Sequence, residues 1–171
     1  PITEPQTKEV NTAKSVVNWK GYKVTGSHYG TVKIKSGKLD MQDGKLSGGT
    51  IVVDMSSIAC QDLEGEWNQK LVGHLKSDDF FGVETYPTAT FKIQRAVEAG
   101  AGEYIVTGDL TIKNKTNPIK FTANLKDGMA TANVTIDRSK YDVRYGSGSF
   151  FDNLGDKTIY DDFELEIKLA Y

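Results

Sequence analysis

Eight stretches of this chain alternate apolar and polar residues two apart, and that period of two constrains the fold more than any other feature. The in-phase sets begin with Val17 and Trp19, Val32 and Ile34, then Ile51, Val53 and Met55, then Ala89, Phe91 and Ile93. They continue with Tyr104, Val106, Leu110 and Ile112, then Ile119, Phe121, Ala123 and Leu125. Ala130, Ala132, Val134 and Ile136 form the seventh set, and Phe163, Leu165, Ile167 and Leu169 the eighth. Successive side chains of a strand point to opposite faces, so each stretch predicts a strand with one dry and one wet face. The intervening residues are polar, as in Lys33 and Lys35, or Glu164, Glu166 and Lys168.

Turn signals separate these stretches: Ser36-Gly37, Asp43-Gly44, Ser47-Gly48-Gly49, Gly100-Ala101-Gly102, Asn117-Pro118 and Asp127-Gly128. Links this short suit antiparallel neighbours, because a parallel crossover needs a dozen or more residues. The expectation is an all-β, eight-stranded antiparallel fold. A sandwich and a closed barrel both satisfy the pattern, and closure, which removes sheet edges, favours the barrel.

One region breaks the period. Leu63, Trp67, Leu71 and Leu75 recur every four residues, the stripe of an amphipathic helix. Ser77-Asp78-Asp79 reads as the N-cap and acidic first turn of a second short helix carrying Phe80 and Phe81. The whole forms a helical insertion near residues 62–81, placed across one end of the barrel as a lid or as a permanent plug. The polar stretch 1–14 reads as a flexible leader, leaving residues 15–171 as one domain.

The 21 basic and 23 acidic residues divide almost evenly along the chain, so no basic arm invites nucleic acid. No run of about 18 apolar residues predicts a membrane-spanning helix. The single cysteine, Cys60, excludes an intrachain disulfide and a cysteine metal cluster, and reads as a packing residue. The histidines, His28 and His74, stand in no zinc-ligand spacing and read first as structural residues. Gly146-Ser147-Gly148-Ser149 does not spell a nucleophile elbow, and Asp152, Asp156, Asp161 and Asp162 fit no calcium-loop template. Nothing here supplies an activated nucleophile or a metal set, which weighs against an enzyme. Arg138 continues the inward phase of Val134 and Ile136, which puts a guanidinium at a barrel mouth in need of a partner.

The strings Gly26-Ser27-His28-Tyr29-Gly30 and Leu46-Ser47-Gly48-Gly49, with residues 51–58 after them, resemble the first half of the YceI-like family of polyisoprenoid-binding proteins. The second half is closer still. It has His74-Leu75-Lys76-Ser77-Asp78-Asp79-Phe80-Phe81, Tyr86-Pro87-Thr88-Ala89-Thr90-Phe91, Gly108-Asp109-Leu110-Thr111-Ile112-Lys113 and Ile136-Asp137-Arg138, in the family's order. The resemblance implies a lipocalin-like barrel around an elongated cavity for an isoprenoid chain, in proteins that are usually exported and often dimeric. A periplasmic or secreted location and a homodimer are therefore expectations. Residues 144–162 lengthen the last hairpin beyond the family's shorter form.

On this reading no cofactor is required, and the expected occupant is a long-chain isoprenoid lipid, a quinone or its precursor. A packed interaction module, or a barrel for fatty-acid-like lipids, is the alternative. A chain of about 40 carbons at roughly 0.3 kcal/mol per heavy atom would bind near nanomolar. The expected wall comprises Trp19, Val32, Ile34, Ile51, Val53, Met55, Phe91, Ile93, Val106, Leu110, Phe121, Val134 and Ile167. Leu63, Trp67, Leu71, Phe80 and Phe81 would border the entrance, with His28, Arg138 and Asp54 as polar groups at the mouth. Small inward residues, Ala89, Gly108, Ala123, Ala130 and Ala132, predict room inside.

Overall fold

Paired left-handed residues mark the tight hairpins of the computed structural model, which describes residues 5–171. Asp43 and Gly44 (φ 54° and 76°), Lys113 and Asn114 (52° and 61°), and Asp127 and Gly128 (52° and 76°) each take positive φ in succession. That backbone matches the right-handed twist of the strands it joins. The hairpins connect β3 (Gly26–Gln42) to β4 (Lys45–Cys60), β6 (Glu103–Ile112) to β7 (Lys115–Lys126), and β7 to β8 (Met129–Asp137). β2 (Asn11–Lys23), β5 (Thr88–Gly100) and β9 (Ile159–Ala170) complete the barrel. The order is β3-β2-β9-β8-β7-β6-β5-β4, and β4 pairs back onto β3, so eight antiparallel strands close on themselves. A short β1 (Gln6–Glu9) adds to the far half of β3, pairing Gln6 with Met41.

Register keeps the apolar sets together. Val17 faces Val32 on one side and Ile167 on the other, Val53 faces Ala89, Phe91 faces Leu110, and Ile136 faces Phe163. A slip of one residue would expose every member of a set, so the buried face fixes the pairing. Outside, polar residues meet each other: Asn18 donates to Glu166 at 3.2 Å and Tyr22 to Glu164 at 2.9 Å.

The leader expectation is corrected for residues 6–14, which enter β1 and β2; Val10 is buried and its N–H donates to Gly37 at 2.9 Å. Residues 1–4 of that stretch lie outside the described residues. Three turn signals also fall inside strands. Ser36-Gly37 and Ser47-Gly48-Gly49 sit within long, irregular strands whose register shifts between Ile34 and Ser36 and between Asp40 and Met41. Gly49 (φ 147°) is there for close approach, since a Cβ would lie 2.4 Å from the Lys38 carbonyl oxygen. Asn117-Pro118 lies in β7, which pairs with β8 only from Ala123 to Lys126. Pro118 pairs with Asp109 of β6 alone, so its missing N–H breaks no ladder bond on the β8 side.

The insertion holds one helix, α1 (Gly65–Lys76). Asn68 ties its start to β4, donating to the Cys60 carbonyl at 2.8 Å and the Leu63 carbonyl at 2.7 Å. The second short helix is corrected to a turn. Ser77 closes α1, its N–H and hydroxyl both donating to the His74 carbonyl, and Phe80 donates back to Ser77 at 3.0 Å. No helix among the described residues is long and apolar enough to cross a membrane.

Candidate functional site: a blind apolar cavity

The barrel interior divides into a packed end and a hollow end. A cavity of about 390 Å³, near the lower end of ordinary ligand sites, occupies the half under α1. Tyr145, on the long 142–158 loop, and Tyr160, near the start of β9, line it while remaining about half exposed, so the cavity reaches the surface beside them.

Ten of the residues expected at the site line this space: Trp19, His28, Val32, Val53, Met55, Leu71, Phe80, Phe81, Leu110 and Arg138. Ile34, Ile51, Val106 and Val134 point inward but are buried in the packed end, away from the cavity wall. Phe91, Ile93, Phe121 and Ile167 are partly buried against that same core and do not line the cavity. The reason is visible at Gly108. A Cβ there would meet Phe91 Cζ at 2.6 Å, so the Phe91 ring occupies the room that the glycine leaves. Phe91 leans on Phe121 at 5.4 Å between centroids and pairs with Leu110, which does line the cavity, so the two rings stand in the packed end next to that wall. Of the small residues that predicted room, only Ala89 lines the cavity; Ala123, Ala130 and Ala132 lie in the packed end.

The entrance also differs from expectation. Trp67 is 69% exposed, with Lys70 Nζ 5.1 Å from its ring, and neither it nor Leu63 lines the cavity. Because α1 begins only at Gly65, Leu63 precedes the helix and Trp67 overhangs in its first turn, while Leu71 and Leu75 reach the interior. Asp54 is turned away, accepting hydrogen bonds from the Ser56 N–H and hydroxyl.

Polar groups gather at the mouth. His28 Nδ1 lies 2.8 Å from Asp62 Oδ2, and Asp62 Oδ1 accepts from the Tyr29 N–H at 3.0 Å and from Cys60 Sγ at 3.0 Å. Burial alone would raise the Asp62 pKa, but hydrogen bonds from Cys60, Tyr29 and His28, with the charge of His28, hold it down to about 2. Burial, then the Asp62 hydrogen bond, pushes the Cys60 thiol up, which keeps it protonated and unreactive. His74 repeats the arrangement, with Nε2 3.0 Å from Asp79 and its ring edge-on to Phe80 and Tyr145 at 4.8 and 4.5 Å.

Arg138 is 4% exposed and sits over the Phe80 ring at 5.8 Å. Its Nε donates to the Tyr160 carbonyl at 3.1 Å, Nη1 to Val143 at 2.8 Å and Nη2 to Ile159 at 2.9 Å. The guanidinium thus sews the long loop to β9. Sequence reasoning missed Tyr145, Tyr160 and Ile159, which come from loop and strand-entry positions with no period to reveal them. It read His74 as structural, although His74 follows Leu71 by three residues and shares its helix face.

A closed antiparallel barrel with a blind apolar cavity and a polar lip defines a lipocalin-like binding barrel. More narrowly, the model of the YceI-like domain matches residues 9–171, and the chain belongs to that family. A UPF0312 protein of Vibrio cholerae is 29% identical over 123 residues; the match covers 66% of this chain and 63% of the relative. The crystal structure of Burkholderia cenocepacia BcnA has a TM-score of 0.75 at 24% identity, covering 95% of this chain and 99% of that one. A polyisoprenoid-binding domain from Saccharophagus degradans has a TM-score of 0.64 at 16% identity, covering 94% and 95%. Identities this low establish the shared fold.

Proposed function

We propose that this chain binds a long apolar lipid, most favourably a polyisoprenoid such as a quinone or its precursor, and carries or stores it without chemical conversion. The blind cavity under α1 carries this reading, for its wall is apolar apart from groups at the lip. The polyisoprenoid-binding description of the Saccharophagus degradans domain supports the choice of lipid. The mouth presents no activated nucleophile: the thiol is held protonated and points at Asp62. Export to the periplasm or beyond belongs to the same proposal, as does assembly as a monomer or homodimer. Displacement of a fluorescent polyene by isoprenoid alcohols tests it, with saturable displacement expected at one site per chain. Absence of displacement by any isoprenoid would refute lipid carriage and favour a packed interaction module.

A further inference from the structure

The cavity wall is one-sided in charge. Its ionisable side chains other than tyrosines are Lys23, His28, His74 and Arg138, and no carboxylate lines it. Both histidines already hold an aspartate behind them. Arg138 does not. Among the described residues it makes no ion pair, although it is almost wholly buried. The nearby carboxylates are engaged elsewhere: Asp161 accepts the hydroxyls of Ser147 and Ser149, and Asp137 accepts the Ser139 N–H and hydroxyl. They act on Arg138 only through space, and the desolvation of the guanidinium outweighs them.

A guanidinium has five N–H donors, of which the backbone carbonyls take three. One N–H on Nη1 and one on Nη2 remain. Peptide oxygens satisfy hydrogen bonds but bring no net charge, and a buried cation without a counter-charge is costly. A neutral quinone oxygen would leave the same deficit. An anionic oxygen would complete both the hydrogen bonding and the charge in one contact.

We propose that Arg138 is the anchor for an anionic oxygen head, a carboxylate or a phosphate, at the end of the lipid's apolar chain. Phe80, His74 and Tyr145 form the wall beside that head, and the chain runs from there into the apolar part of the cavity, past Val53, Ala89 and Leu110. This rests on the lipid-binding reading and narrows it to acidic lipids.

Three probes sharing one chain isolate the head: geranylgeraniol, geranylgeranoic acid and geranylgeranyl monophosphate, each displacing a fluorescent polyene at neutral pH. The acid, the phosphate or both should bind at least about tenfold more tightly than the alcohol, as expected for a hydrogen bond to a charged group. Whichever leads identifies the source of the anion. Equal binding, or preference for the alcohol, overturns the inference while leaving lipid carriage intact; no displacement by any probe overturns both. In Arg138→Gln the preference should vanish. Because that variant also releases the carbonyls of Val143, Ile159 and Tyr160, the wild-type protein supplies an independent check. Affinity for the acid should fall as acidification protonates its carboxyl group, while affinity for the alcohol stays level; parallel behaviour would refute the anchor.

Discussion

Phe91→Ala should deepen the cavity and lengthen the lipid that it prefers. The Phe91 ring stands where a Cβ at position 108 would be, 2.6 Å from its Cζ, and it rests on Phe121. Phe91 pairs with Leu110, which lines the existing cavity of about 390 Å³, so truncation should open the space over Gly108 toward that cavity. Replacing a fully buried Phe costs about 3–5 kcal/mol. Phe91 is only partly buried, so a cost near the low end is expected. Urea unfolding of the lipid-free protein measures that cost. Displacement by prenols of increasing length measures the preference, which should move to longer chains than the wild type favours. An unchanged length preference, with the full stability loss of a core aromatic, would show that Phe91 belongs to the packed end and sets no depth.

Trp67→Ala should change stability by less than about 0.5 kcal/mol in urea, because the ring is 69% exposed and packs on no core residue. Asp62→Asn should destabilise by about 1–2 kcal/mol at neutral pH, since the folded carboxyl is held near 2 against an ordinary 3.8. The depressed pKa makes that contribution complete above about pH 4 and lost as pH falls through 2, so wild-type and variant acid-unfolding curves should converge there; a gap that persists would refute it. Cys60→Ala should leave lipid affinity unchanged in the displacement assay, because the thiol lies outside the cavity wall and only donates to Asp62.

The strand phase was legible because each strand has one dry face, and that asymmetry survives in the sequence wherever a register is enforced. The interruptions were not. Gly37 and Gly49 read as turns because glycine marks both turns and bends, and only the contact between β3 and β4 tells them apart. Pro118 read as a strand break because the sequence does not show that β7 lacks a partner on its β8 side there. Cavity depth was hidden for a related reason. Gly108 announces space, but whether that space stays empty depends on the Phe91 ring, far off in sequence and across the ladder that pairs β5 with β6. Strand phase pointed Arg138 inward, and in the structure it lines the cavity, whereas its carbonyl partners on the long loop and β9 carry no sequence mark.

The most direct test of lipid carriage compares what the wild-type protein and Ala89→Trp retain. Ala89 is buried, lines the cavity and faces Val53, so an indole there fills the space that the lipid would occupy. Both proteins are purified from the same cells, extracted with organic solvent, and the extracts analysed by mass spectrometry against the amount of folded protein. Wild type should release a long-chain isoprenoid approaching one molecule per chain, and the filled variant should release little. A folded wild-type protein that releases no lipid, or a variant that releases as much as wild type, would contradict a lipid held in this cavity.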